Sequence, residues 1–437
     1  MNRLVVIGII LITVLCLCNT IFRDIHIEKL YPPDLRNRVV GARLQMDGKM
    51  PYFHKWKPEE GLRYYDLQNF DTFKVSNSTA SPFFHQLMYP VANMQQRTIS
   101  RLWIGVQYVL LFLLTILAFQ FCQTRMQQLL VLAVAISFLF TEAWINLIAA
   151  GQMYLFIPFL AMLCYYLLNK PANIIGAVFA GFFAVSLILI RPNAIIIFFP
   201  MLFLMSKYSL RYKMAFFIPV ILLLGLIACS ERQRALWIEY AQSLKEQLKI
   251  HQNLNPVIQD NGKDPGFTNW EGWNMDDVRK EEAKTSYKNY SENGNLFVVV
   301  RGVTGKQLSP TFLNISSFLL IFILMFSFYY FTRKQGFALY NIAIFGFCLY
   351  MVSDLFSPMY RHQYYTTQWF FPLLLAAAGY TKSFKWIYAM IAAGIFLNII
   401  NISFLKMEHT IGEYIIFAVL LALSFVYNHQ RQIKLHI

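Results

Sequence analysis

Chemistry in this chain would fall to a few carboxylates and arginines set at the edges of apolar segments. In YPPDLRNRVVGARLQMDGKMPY, residues 31–52, Asp34 opens a segment in which Leu35, Val39, Ala42 and Met46 recur at helical spacing. Pro32 and Pro33 cannot continue a preceding helix but suit the start of a new one, where an acid favours the helix dipole. Arg36, Arg38 and Arg43 fall on other faces, so the segment is expected to lie in the membrane interface as a basic amphipathic helix, ended by Gly48 and Pro51. A carboxylate there would stand against a lipid, although a helix cap explains it as well. Asp24 and Glu28 are rival acids nearer the end of the first apolar run, and spacing does not choose among the three.

Arg191 precedes Pro192 in LILIRPNAIII, at the end of an apolar run. A guanidinium at that height can grip a lipid phosphate through two parallel hydrogen bonds, or simply snorkel to the headgroups. The loop SPMYRHQYYTTQW, residues 357–369, gathers Tyr360, Arg361, His362, Tyr364 and Tyr365. Aromatic belts account for the tyrosines but not for an Arg-His pair beside Asp354. Outside two long polar stretches the only acids are Glu142, Asp354, Glu408 and Glu413. An acid within a span usually faces protein or water, and for Glu142 and Asp354 a buried pairing with an arginine is the ordinary explanation.

The elements that must position these groups are membrane helices. Of 437 residues 57% are hydrophobic and 14% charged, more apolar side chain than one soluble core needs, so the chain is expected to be an all-α polytopic membrane protein forming a single unit over 1–437. The net charge of +15 is dispersed in small groups between apolar runs, which fits topology signals and argues against nucleic acid as a partner. All six cysteines lie in apolar segments without metal-type spacing, so neither disulfides nor a zinc site is indicated. Leu4 to Phe22 has a basic start and no small-residue cleavage site, which favours a retained anchor.

About twelve spans are expected, at 3–22, 101–122, 127–148, 152–169, 173–190, 192–207, 213–230, 310–331, 336–356, 364–381, 385–404 and 411–428, the crowded third to sixth leaving room for half-spans. Lysines and arginines concentrate in alternate short connections, which places both termini in the cytoplasm. Two long stretches, 23–100 and 230–309, then share the outer face. The first ends in SPFFHQLMYPVANM, read as an irregular segment on the membrane surface. The second opens with a helical run, Glu231 to Lys249, and continues into NGKDPGFTNWEGWN, a turn-rich loop that would serve as the wall of a sugar-binding cleft or as a plain connector.

Asp34-Leu35-Arg36 followed by a basic helix and Gly48-x-x-Pro51-Tyr52 resembles the first outer loop of glycosyltransferase family 87, polyprenol-phosphate-mannose-dependent alpha-mannosyltransferase-like proteins of the GT-C membrane fold. Tyr89-Pro90, Arg101-Leu102-Trp103, Gly151-Gln152, Arg191-Pro192 and Ser357-Pro358 with His362 follow in family order over nearly the whole chain. The family's Tyr-Pro-Pro is here Tyr89-Pro90-Val91, and its His-His pair is Arg361-His362. The resemblance implies that Asp34 is a general base taking the proton of an acceptor hydroxyl. Arg191, Arg361 and His362 would bind the donor phosphate, and Arg38, Tyr52, Gln152, Asp354 and Tyr364 would line the substrate site. The implied partners are a polyprenyl-phosphate sugar, a glycan or glycolipid acceptor and membrane lipid, with no cofactor and no metal.

Two other readings compete with it. A transporter would carry acids and broken helices at the membrane midplane in corresponding halves, whereas here the acids gather in long polar stretches. A polymerase or ligase of lipid-linked glycans would also work at the outer face but would lean on arginines in its loops rather than on one aspartate.

Overall fold

The apolar runs fold as helices, as chains in a bilayer must to satisfy their own backbone hydrogen bonds. A computed structural model describes residues 3–27, 32–66, 78–169, 173–251, 294–333, 338–359, 361–400 and 407–426. In chain order the helices are α1 (Arg3–Ile27), α2 (Pro33–Met46), α3 (Pro82–Leu87), α4 (Tyr89–Ala92), α5 (Gln96–Phe119), α6 (Arg125–Phe138), α7 (Glu142–Ala150), α8 (Phe156–Leu168) and α9 (Ile174–Ile190). A 3-10 helix, Pro192–Lys207, leads to α10 (Leu210–Cys229), α11 (Glu231–His251), α12 (Leu296–Thr304), α13 (Pro310–Thr332) and α14 (Leu339–Leu355). A second 3-10 turn, Gln363–Trp369, precedes α15 (Phe370–Ala378), α16 (Lys385–Leu397) and α17 (Glu408–Val426).

Each apolar run meets a helix, but not every helix is a full span. Among the described residues five are long and apolar enough to cross a membrane: Gly8–His26 within α1, α5, α10, α13 and α17. The run at 127–148 is not straight; α6 and α7 meet at a 55° bend and together make a sixth span if counted as one. The bend has a local cause. Thr141 caps α7 by accepting the Trp144 N–H at 3.2 Å, a new start that ends the preceding helix. The run at 364–381 likewise splits into a 3-10 turn and the short α15.

The exterior is apolar, with Phe22, Leu226, Phe318 and Trp386 each more than two thirds exposed, which suits lipid rather than water. At the centre lies α14, mostly apolar and buried along nearly its whole length against Pro192–Lys207 and α17, with Asn341 and Asp354 as its buried polar side chains. Small residues let the helices close in: a Cβ on Gly181 of α9 would sit 1.9 Å from the Phe216 carbonyl oxygen of α10.

The first polar stretch differs from expectation. α2 does not present a basic face outward: Leu35 to Gln45 are all buried, apolar side chains against the main core and Val40 and Leu44 against Trp56, Tyr64 and Tyr65. Its arginines can be enclosed because backbone carbonyls receive them. Arg36 donates to the Tyr65 and Leu62 oxygens at 2.7 and 2.9 Å, and Arg43 to those of Ala92 and Arg63 at 2.7 and 3.0 Å. The segment after Ser81 is not irregular but two short helices, α3 and α4, started by Ser81 accepting the Phe84 N–H at 3.2 Å. In the second stretch α11 lays Leu236, Tyr240, Ser243 and Gln247, one helical face, against this layer, with Ser243 donating to the Ser78 oxygen at 3.1 Å. The expected NGKDPGFTNWEGWN loop, Glu28 and Tyr360 lie outside the described residues.

Candidate active site

Asp34 is the second residue of α2, and Pro32 occupies the cap position without any side-chain cap bond. The carboxylate is therefore not spent on capping. It turns to the loop after α7, where the Gln152 side-chain amide donates to Asp34 Oδ2. Oδ1 has no hydrogen-bond partner among the described residues. One turn along α2, Arg38 donates to Gln152 Oε1 at 2.5 Å and to the Gly151 oxygen at 3.4 Å, so the amide is oriented from both ends. Burial raises the Asp34 pKa, and the Arg38 charge and the Gln152 hydrogen bond pull against that rise.

Three elements fix Gln152. α7 ends on Gly151 in the left-handed conformation, φ 66°, and a Cβ there would come within 2.5 Å of the Leu35 Cβ and 2.8 Å of the Pro32 Cβ. Only glycine lets the two segments meet. The Gln152 backbone oxygen then accepts from Trp103 Nε1 at 3.3 Å and Gln107 Nε2 at 3.4 Å, both on α5.

Arg191 does not snorkel. Pro192 disfavours helix at the residue before it, so α9 stops with Arg191 extended, φ −142°, and the side chain turns inward to Asp354 Oδ1. Its guanidinium carbon lies 5.1, 5.0 and 6.0 Å from the ring centres of Tyr154, Tyr365 and Tyr350. Arg191 Nε is buried and has no partner among the described residues.

A layer of rings joins the two ends of the site. His362 stacks on Tyr364 at 5.0 Å, Tyr364 stacks on Tyr154 at 5.4 Å, and Tyr365 meets the edge of Tyr154 at 4.1 Å. Asp34 and Arg38 lie within electrostatic reach of Tyr364, while Arg191 covers Tyr154. Asp34, Arg38, Gln152, Tyr364, His362 and Arg191 are thus brought to one region.

Arg361 is elsewhere in this scheme. Its Nε donates to Asp354 Oδ2 at 2.7 Å, and its two terminal nitrogens donate to the Glu413 carboxylate at 2.6 Å each, all within the protein interior. Each of the three guanidinium nitrogens already donates to a carboxylate, and the side chain is only 1% exposed, so the group is turned to its protein partners rather than to a phosphate. Asp354 faces the two arginines. Tyr52 is also set back: its hydroxyl donates to the Ala80 oxygen at 2.8 Å, and its ring packs 5.9 Å from His85 and 5.6 Å from Tyr240.

The rival acid Asp24 is fully enclosed. It accepts from Tyr108 at 2.7 Å, Trp144 Nε1 at 2.8 Å and Arg23 Nε at 2.9 Å, the environment of a carboxylate joining α1, α5 and α7. Sequence reasoning passed over His85, Tyr154 and Glu413 as site residues. His85 is buried beside Arg38, and both press its pKa down to about 3, so the ring is neutral. Glu413 did carry a signal, as a lone acid in an apolar span. Among the described residues no group of three or more His, Cys, Asp or Glu side chains has the arrangement of a metal site. An apolar cleft of about 260 Å³ lies apart from Asp34, between α6, α15 and α16, lined by Leu130, Val134, Leu373, Tyr388, Ile391 and Phe396.

Residues 79–262 match the model of glycosyltransferase family 87, a stretch that contains Trp103, Gln152, Tyr154 and Arg191. No curated protein and no solved structure matches the chain.

Proposed function

We propose, from the match of residues 79–262 to the family model, that the chain is a membrane glycosyltransferase of family 87 and that it moves a hexose, mannose by the family resemblance, from a polyprenyl phosphate to a glycan or lipid acceptor. The reaction is one direct displacement. The acceptor hydroxyl gives its proton to Asp34 Oδ1 as its oxygen bonds the anomeric carbon, and the bond from that carbon to the phosphate oxygen breaks. The polyprenyl phosphate departs with the electron pair, and the anomeric centre inverts. The lipid carries the activated sugar, so the donor comes from the membrane rather than as a soluble nucleotide sugar.

The observation that carries this reading is the division of labour within one carboxylate: Oδ2 is held by Gln152, while Oδ1 has no hydrogen-bond partner among the described residues. A general base needs that combination of fixed direction and free lone pair, and a raised pKa improves its match to a hydroxyl at neutral pH. Arg191, bonded to Asp354 through a single terminal nitrogen among the described residues, meets the charge that grows on the leaving phosphate, and His362 stacks on the Tyr364 ring of the same layer. Arg38 and Gln152 orient the base, and Tyr364 forms the floor on which the hexose ring rests. The positive-inside pattern supports cytoplasmic termini and a site at the outer face of the cell membrane, in a GT-C arrangement.

The reading is tested by incubating the purified protein with a polyprenyl-phosphate hexose and a hydroxylated acceptor, then determining the anomeric configuration of the product. Free polyprenyl phosphate and an inverted linkage are expected. A retained configuration contradicts the in-line single displacement.

A further inference from the structure

Arg191 makes one side-chain hydrogen bond among the described residues, from a terminal nitrogen to Asp354, and a single bond does not fix a guanidinium. The Tyr154, Tyr350 and Tyr365 rings bound its position, and its direction depends on the state of Asp354. The second carboxylate oxygen of Asp354 is bound by Arg361 Nε at 2.7 Å, and Gln368 Nε2 lies 3.5 Å from the same oxygen. Arg361 is clamped in turn by the bidentate Glu413 pair at 2.6 and 2.6 Å, and Glu413 Oε1 also accepts from Trp369 Nε1 at 2.7 Å. Asp354, Arg361 and Glu413 side chains are 1–3% exposed, so water does not compete for these bonds. The packing admits no slack on the far side: a Cβ on Gly294 would lie 2.6 Å from Glu413 Oε2 and 3.3 Å from an Arg361 terminal nitrogen.

From this relay we infer that Glu413, on the last membrane helix, is a positioning residue for the phosphate end of the site, acting on Arg191 through Arg361 and Asp354. The inference rests on the role given above to Arg191. The four side chains alternate in sign and balance, two guanidiniums against two carboxylates. Without the Glu413 charge, the two terminal nitrogens of Arg361 have one acid left to seek, Asp354. They then compete with Arg191 for it, and the Arg191 guanidinium loses its aim at the phosphate. Displacements of about 1 Å at a reacting centre cost on the order of 100-fold in rate.

The test compares E413Q, E413D and the double variant R361Q/E413Q with R191A, measuring kcat, KM for donor and acceptor, and thermal stability of the purified protein. In E413D the charge remains but is withdrawn by one methylene, and kcat is expected to fall about 10-fold with the acceptor KM unchanged. R361Q/E413Q replaces the buried ion pair by a neutral amide pair of similar volume, which relieves the unpaired charge of E413Q and is expected to restore its stability. The double variant is nevertheless expected to stay about 10- to 100-fold slow, because Asp354 has lost its second arginine. Activity that recovers together with stability would reduce Glu413 to a packing role and overturn the inference, as would E413D with unaltered kcat. If R191A itself turns over at the normal rate, the phosphate role of Arg191 fails; if R191A is inactive while the Glu413 variants are not, only the Glu413 inference fails.

Discussion

The Gln152 amide donates to one oxygen of Asp34 and receives Arg38 on its own oxygen, at 2.5 Å. Two residues at the start of α2 are thus coupled through a loop more than a hundred positions away, and the coupling makes Asp34 respond to Arg38 without direct contact. The Arg38 charge favours the ionised carboxylate against the effect of burial. In Arg38→Gln the Asp34 pKa rises further. The pH dependence of kcat/KM should then show its acid limb at higher pH than the wild type, with activity recovering as the medium is made more basic. An acid limb that stays in place, or moves to lower pH, would mean that another group titrates.

Gly151 brings Gln152 to Asp34. An alanine there needs a left-handed backbone, strained for any residue with a Cβ, and drives that Cβ into Leu35 and Pro32 at 2.5 and 2.8 Å. Gly151→Ala should lower stability by about 1–3 kcal/mol and slow transfer by about 10-fold or more, since the loop must back away from α2. Thermal unfolding and steady-state rates of one preparation check both, and a fully active Gly151→Ala would show that the Gln152 contact is dispensable.

His85 gives a stability prediction. Its folded pKa is pushed down to about 3, from an ordinary 6.5, so below pH 6.5 the unfolded chain takes up a proton that the folded protein refuses. Stability is therefore lost as pH falls through the window from 6.5 to 3, by about 2 kcal/mol between pH 6.5 and 5 for one such group. His85→Gln removes that contribution. The difference in melting temperature between pH 7 and pH 5 should be smaller in the variant than in the wild type. Equal differences would mean that His85 is accessible to protons in the folded protein.

How much of this was legible differs between the helices and the site. The apolar runs located the helices because lipid enforces a simple rule of composition, and Tyr31 to Tyr52 yielded α2 because prolines, helical spacing and Gly48 mark its ends. Lengths were harder. Thr141 before Glu142 is a readable cap, but it sits inside a continuous apolar run, and hydropathy alone joins α6 to α7. The arginines of α2 read as an exposed face because spacing does not reveal that the carbonyls of Leu62, Tyr65 and Ala92 will cover them. Arg361 read as a phosphate ligand for the same reason. Its partner Glu413 belongs to another helix, and only the packing of α17 against α14 shows that its charge is already answered. The pairing of Asp354 with an arginine was foreseeable from its depth alone.

Whether Asp34 removes the acceptor proton is tested most directly by measuring single-turnover sugar transfer in Asp34→Asn beside Asp24→Asn, each purified and shown to be folded. With Asp34→Asn the amide keeps the shape but offers no base, and the rate should fall by about 100-fold or more. Asp24→Asn disturbs a buried carboxylate joined to Tyr108, Trp144 and Arg23 and should lower stability more than the rate of the folded fraction. Transfer at the wild-type rate by folded Asp34→Asn, or a loss confined to folded Asp24→Asn, would contradict the assignment of Asp34 as the base.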